Sequence, residues 1–188
     1  MTEEKPAYGV TTLVGCPYFT IKKTHVPELE YAYRFGREMH ETIEDELRRM
    51  GLEVEVPIAL ELNKYKIIGK IDAIDRQTNT IYEIKPNRMN YKGFKQLLLY
   101  RDILYVLEKK RYRIGLILYR KGKFTFVKSF LHEPKLLSVL KYAIQVAEAL
   151  YNNGGVIKIA SEDCKYCKLR DVCKPDYTCI NGRLVKLR

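Results

Sequence analysis

The chain has 188 residues, 46% of them hydrophobic, which suits one sizeable domain with an appendage and argues against wholesale disorder. Lysine and arginine number 34 against 23 aspartates and glutamates, a net charge of +11 that favours a polyanionic partner, most simply nucleic acid. The longest apolar run, Ile114 to Tyr119, falls far short of the ~18 residues that span a bilayer. The start, Met1-Thr2-Glu3-Glu4-Lys5-Pro6, lacks a basic-then-apolar leader pattern. A cytoplasmic protein with no membrane partner is expected.

Taken in chain order, Leu29, Ala32, Phe35, Gly36, Met39, Ile43, Leu47 and Met50 follow helical spacing, which predicts a helix over 28–50 closed by Gly51 in a left-handed cap. Alternation at Leu52, Val54, Val56 and Ile58 predicts a strand, and Asn63-Lys64 a turn. Strands are expected at Tyr65 to Ile74 and Thr80 to Lys85, around the polar turn 76–79. A helix follows over 91–109, then a hairpin of Arg111 to Tyr119 with Lys123 to Phe130. A last helix runs from Pro134 to about Asn152, stopped by Asn153-Gly154-Gly155. This order describes an α/β domain with a mixed sheet flanked by helices, followed by a cysteine-bearing tail.

The hairpin around 76–79 carries chemistry. With a four-residue loop, antiparallel partners have numbers summing to 155, so Asp72 falls opposite Glu83 and Lys70 opposite Lys85. Directly opposed carboxylates repel each other unless a cation joins them, and Mg²⁺ or Mn²⁺ prefers such oxygen ligands. Lys85 lies on the face of Glu83. His40 stands one residue beyond the apolar stripe of the first helix, placed to be a third ligand. Gln96 and Tyr100 share one face of the following helix. Residues 85–95 carry Lys85, Arg88, Lys92 and Lys95 with no acid, interleaved with Tyr91 and Phe94 as a nucleic-acid groove would have them. Residues 109–128 carry eight basic residues and no acid.

Five cysteines cannot all close into disulfides. Four crowd near one end, at Cys164, Cys167, Cys173 and Cys179, and Cys16 lies near the other. In a cytoplasmic protein such clustering points to metal, with zinc and iron–sulfur as candidates. Spacing leaves two ligand sets open: the four tail cysteines, or Cys16 with Cys164, Cys167 and Cys173.

Together, His40 on a helix, Gly69-Lys70-Ile71-Asp72, Glu83-Ile84-Lys85 and Gln96-Leu97-Leu98-Leu99-Tyr100 resemble the RecB-type branch of the PD-(D/E)XK nucleases. One cysteine before this core and Cys-x2-Cys-x5-Cys after it resemble its iron–sulfur members, and at this length the CRISPR-associated protein four family in particular. The resemblance implies a restriction-endonuclease-like fold over 1–188 as one nuclease domain. It implies metal ligation by His40, Asp72, Glu83 and the Ile84 carbonyl, with Lys85 as the catalytic lysine. Gln96 and Tyr100 match a motif that positions DNA; Arg88 and Lys92, from the basic stretch 85–95, are expected as further DNA contacts. The resemblance favours the cluster set Cys16, Cys164, Cys167 and Cys173, holding a four-iron four-sulfur cluster, or a two-iron form in some members, with Cys179 spare. The implied activity is Mn²⁺- or Mg²⁺-dependent exonuclease cleavage of DNA with single-stranded ends, 5′-to-3′, with room for endonuclease action, in CRISPR adaptation beside the CRISPR integrase. Homo-oligomerisation stays open. One departure is Tyr18, where Cys-Pro is often followed by a basic residue. Rival readings are a RecB-like repair nuclease outside CRISPR and a non-catalytic iron–sulfur or zinc DNA-binding module.

Overall fold

The computed structural model describes residues 4–22, 43–85, 91–120, 123–127, 135–161, 164–165, 167 and 169–187. Strand β1 (Ala7–Gly9) leads into two short helices, α1 (Val10–Leu13) and α2 (Pro17–Lys22). Residues 43–49 are helical and form the described part of α3. The Gly51 N–H donates to the Arg48 carbonyl and the Leu52 N–H to the Leu47 carbonyl, and Gly51 has φ +84°. This paired C-terminal cap is the stop expected from the glycine. The predicted start of that helix, including Gly36 and His40, lies outside the described residues.

Three strands follow: β2 (Glu53–Glu61), β3 (Lys66–Asp75) and β4 (Thr80–Lys85). Helix α4 (Tyr91–Glu108) then crosses to β5 (Arg113–Arg120), which pairs antiparallel with β6 (Lys123–Val127). Helix α5 (Ser138–Asn152) starts later than Pro134, after Leu137 in the left-handed region at φ +68°. Leu137 offers no side-chain cap; instead the Asp102 carboxylate of α4 accepts the Leu140 N–H at 3.2 Å. Asp102 also holds Arg101 at 2.8 Å, and both residues are buried. The tail adds a three-stranded sheet, β7 (Ile159–Ala160), β8 (Tyr177–Ile180) and β9 (Arg183–Lys186).

The main sheet runs β1-β3-β4-β5-β6, with β2 also on β3. Because β2 pairs with β3 from Lys66 to Ile74, β1 and β4 must share the opposite edge of β3. There β1 ends at Gly9↔Ile68 and β4 begins at Ala73↔Tyr82. Residues 69–72 therefore span a gap between two neighbouring strands. One core cluster, with Leu97, Leu99, Ile103 of α4 and Val146, Leu150 of α5, covers one side of the sheet. A smaller cluster, Ile43, Leu47, Ala73, Tyr82, Ile84 and Ile117, covers the other. Helix α4 is buried at every residue from Leu97 to Leu104, Arg101 and Asp102 included, because it lies between the sheet and α5.

Candidate active site

The expected hairpin register holds. Ala73↔Tyr82, Ile74↔Ile81 and Asp75↔Thr80 each sum to 155. Its turn is locked by Asp75, whose carboxylate accepts the Gln77 N–H at 2.9 Å and the Thr78 N–H at 3.1 Å, a side-chain mimic of a backbone turn. The ladder stops at Ala73, and the strands then fork. At the fork Asp72 Oδ2 accepts the Ile84 N–H at 2.8 Å, so the side chain replaces the carbonyl that a continued ladder would supply. Lys70 does not meet Lys85 across this hairpin: Lys85 pairs with Leu118 on β5, and the Lys70 ammonium turns to Glu55.

The opposite neighbour of Asp72 is also irregular. Val54↔Ala73 and Val56↔Ile71 bracket Glu55, which lies across from Asp72 with φ +53°. A left-handed non-glycine residue interrupts the ladder and stores strain of a kind that clusters at functional positions. The face pattern inverts here too: Ile71 packs in the cluster under α4, and Ala73, two residues on, packs in the cluster under α3.

Side chains converge on the gap. Lys85 Nζ lies 2.6 Å from Glu83 Oε1, and the Glu83 side chain is only 5% exposed. Strand alternation, which places residues two apart on one face, makes that pair. Tyr100, from α4, lies over Gly69, and its hydroxyl accepts the Lys70 N–H at 3.3 Å. A Cβ on Gly69 would stand 2.7 Å from Tyr100 Cε1 and 2.9 Å from its oxygen. The glycine thus lets the tyrosine cross the strand. Asp72, Gly69, Lys70, Glu55, Gln96 and Tyr100 line one open cleft of about 720 Å³.

Electrostatics follow from this crowding. Burial pushes the Asp72 carboxyl up to about 6, against the downward pull of the Ile84 N–H and the Lys85 ammonium, and Glu55 and Glu44 add to the rise. Burial alone would lower Lys85, but the Glu83 carboxylate outweighs it and holds the ammonium above its usual range. Tyr100 is driven upward by burial, then by Glu83. Lys85 is therefore a cation at neutral pH.

A second constellation forms at the cysteines. Tyr18 N–H donates to the Ile157 carbonyl at 3.1 Å, tying the start of α2 to the entry of the tail. The tail then winds through successive three-residue turns: Cys164 N to Ser161 O, Cys167 N to Cys164 O, Arg170 N to Cys167 O and Cys173 N to Arg170 O. Cys16, Cys164, Cys167 and Cys173 all line one cavity of about 590 Å³. Cys179 lies elsewhere, with Tyr142 and Phe94, in a separate pocket. Burial pushes the Cys173 thiol up, the Cys16 thiol adds to it, Lys158 opposes it, and Cys164 and Cys167 add further. Among the described residues no three His, Cys, Asp or Glu side chains are drawn together tightly enough to hold a metal ion.

The remaining sequence candidates divide. Gln96 and Tyr100 join Asp72, whereas Lys92 packs on Gly15 beside the cysteine cavity. Arg88 and His40 lie outside the described residues. At Tyr18, the Lys158 ammonium stands 5.4 Å over the ring, so the position carries a positive charge from another element. Sequence reasoning passed over Glu55: its one signal is an acidic residue that the alternating Val54 and Val56 direct away from the core.

Asp72, Glu83 and Lys85 thus sit at the gap of a forked mixed sheet flanked by helices, an α/β fold of the restriction-endonuclease-like kind. The chain belongs to the PD-(D/E)XK nuclease superfamily, which it matches over residues 4–174. Nucleases of this superfamily act on DNA and generally use divalent metal ions. Among solved structures, the chain is similar to the protein SSO0001, with TM-score 0.54 and 25% identity over 92% of this chain and 88% of that one. It is also similar to a provisionally assigned exonuclease from Eubacterium rectale, with TM-score 0.44 and 13% identity over 93% of this chain and 77% of that one. No curated protein matches it. No helix among the described residues is long and apolar enough to cross a membrane.

Proposed function

We propose that the chain is a metal-dependent DNA exonuclease of the iron–sulfur, RecB-like branch of its superfamily, the CRISPR-associated protein four family. In this reading residues 1–188 form one nuclease domain that trims single-stranded ends 5′-to-3′ and supplies processed spacer precursors to the CRISPR integrase. The observation that carries the nuclease chemistry is the forked gap in β3, where half-buried Asp72 and buried Glu83 lie beside Lys85. Two carboxylates crowded beside one ammonium suit a divalent cation.

Asp72, Glu83 and the Ile84 carbonyl, with His40, would hold that cation. When bound, Mg²⁺ or Mn²⁺ polarises the phosphoryl oxygen and acidifies water. The chain's own residues do the rest. The Ile84 N–H fixes the Asp72 carboxylate in the gap. Lys85, beside Glu83, would place its ammonium where negative charge grows on the phosphoryl oxygens and stabilise it. Gln96 and Tyr100 border the same cleft and orient the strand.

The cysteine cavity supports the second half of the reading. Four cysteines line one cavity, and soft thiolate donors suit an iron–sulfur cluster. Cys16, Cys164, Cys167 and Cys173 would hold it, four-iron four-sulfur being preferred, and the cluster would staple the tail to the start of α2. Cys179, in its separate pocket, is spare.

The test is cleavage of end-labelled single-stranded DNA. Purified protein should shorten it from the 5′ end with Mn²⁺ or Mg²⁺ and leave it intact in EDTA. Full-length DNA after prolonged incubation with metal would favour the non-catalytic binding module and overturn the reading.

A further inference from the structure

The mechanism above leaves one charged pair in the cleft unused. Lys70 stands two residues before Asp72 on β3, and both line the open cleft with Gln96 and Tyr100. Its side chain is 58% exposed, so the ammonium reaches solvent at the cleft mouth. Among the described residues, the carboxylates of Glu55 on β2, Glu44 on α3 and Asp72 on β3 itself act on it through their charge. Among the described residues Glu55 is its ion-pair partner, from the left-handed kink that breaks the β2 ladder across from Asp72. An exposed pair of this kind contributes little to stability. Stability therefore does not account for a strained backbone that brings a carboxylate to Lys70.

We propose that Lys70 is a substrate-positioning cation that holds a DNA phosphate flanking the scissile one, and that Glu55 is the residue that poises it. The inference rests on the nuclease reading. The scissile phosphate belongs at Asp72, Glu83 and Lys85, and neighbouring phosphates of one strand lie within reach of a lysine stem two residues along the same strand of the sheet. Without substrate, Glu55 keeps the ammonium over the cleft. With substrate, the flanking phosphate replaces Glu55 as its partner, so the lysine is neither folded away nor free to wander. Glu55 also repels a strand that slides towards β2, which helps to set the register of the backbone on the carboxylates.

The experiment uses full-length protein and short single-stranded DNA bearing one neutral methylphosphonate linkage, placed on either side of the cleaved bond in separate oligonucleotides. Metal-dependent cleavage of unmodified DNA by the wild type first checks the nuclease reading by itself. Lys70→Ala should then raise KM for unmodified DNA several-fold with kcat little changed, and Lys70→Arg should restore most of it. Binding by Lys70→Ala should show a log–log salt slope shallower by about 0.7, the value for one phosphate contact on a single strand. One of the two methylphosphonate positions should weaken the wild type and leave Lys70→Ala unaffected. Glu55→Gln should raise KM less than Lys70→Ala and add nothing in the double variant. The proposal is overturned if Lys70→Ala binds and cleaves like the wild type. It is equally overturned if both methylphosphonate substrates weaken wild type and Lys70→Ala alike.

Discussion

Gly69→Ala should damage the site from within a well-packed strand. The new methyl would meet Tyr100 Cε1 at 2.7 Å, its oxygen at 2.9 Å and Val10 Cγ2 at 3.1 Å. Tyr100 has no room to retreat, being 3% exposed and packed with Leu97, Ile103 and Leu104 on α4. Overpacking of this kind costs about 1–3 kcal/mol. If the ring shifts, the Lys70 N–H loses its acceptor in the gap, which adds about 1 kcal/mol. For a chain of this size each kcal/mol lowers Tm by about 2–4 °C, so a loss of about 4–16 °C is expected. Scanning calorimetry measures it, and Tyr100→Leu, which removes the clashing ring, should recover part of the loss in the double variant. That recovery is a coupling between contacting residues, read as non-additivity in the cycle. A Tm for Gly69→Ala within a degree of wild type, or fully additive losses, would refute the reasoning that glycine is required for Tyr100 to cross β3.

Three further outcomes follow from the structure and the proposed function. After anaerobic purification, elemental analysis should find iron in the wild type and in Cys179→Ala but not in Cys16→Ala, and stoichiometric zinc in a colourless wild type would contradict the cluster. Affinity for single-stranded DNA should fall steeply with salt for a chain of net charge +11, and binding flat from low to physiological salt would count against a groove that tracks phosphates. Glu108 accepts from Tyr112 at 2.7 Å and Arg76 at 2.8 Å, and although burial works the other way, these partners hold its carboxyl below the usual range. A depressed carboxyl contributes stability above its unfolded pKa and loses it as pH falls through the folded value. The Tm gap between wild type and Glu108→Gln should therefore be open at neutral pH and close in acid, and a gap that widens in acid would reverse the sign.

Where local chemistry decided the structure, the sequence was enough. The polar turn with Asp75 sets the hairpin register, and the register brings Asp72 to the Glu83 strand. Gly51 stops α3, and the four-residue spacing of Gln96 and Tyr100 carries both to one cleft. What escaped depends on contacts between distant segments. The parallel pairing of β1 with β3 involves three residues, too few to show a period, yet it bounds the gap in which the site sits. The Glu55 kink hides inside an otherwise regular alternation, because nothing in a Val-Glu-Val run marks a left-handed residue. The tail sheet is built from strands of two to four residues, closed by Asn181-Gly182. Lys92 belongs to a basic run in the sequence, but its helix turns it towards Gly15 and the cysteine cavity.

The assignment of Asp72 as the central carboxylate is tested most directly by Asp72→Asn. Asparagine keeps an oxygen for the Ile84 N–H and nearly the same shape, so the fork and the fold should survive, while the charge that would hold a cation is gone. Single-turnover cleavage of end-labelled single-stranded DNA in saturating Mn²⁺, measured beside DNA binding and Tm, is the decisive readout. A folded variant that binds DNA like the wild type and fails to cut it is the expected result. Cleavage by Asp72→Asn at the wild-type rate would place the chemistry elsewhere in the chain.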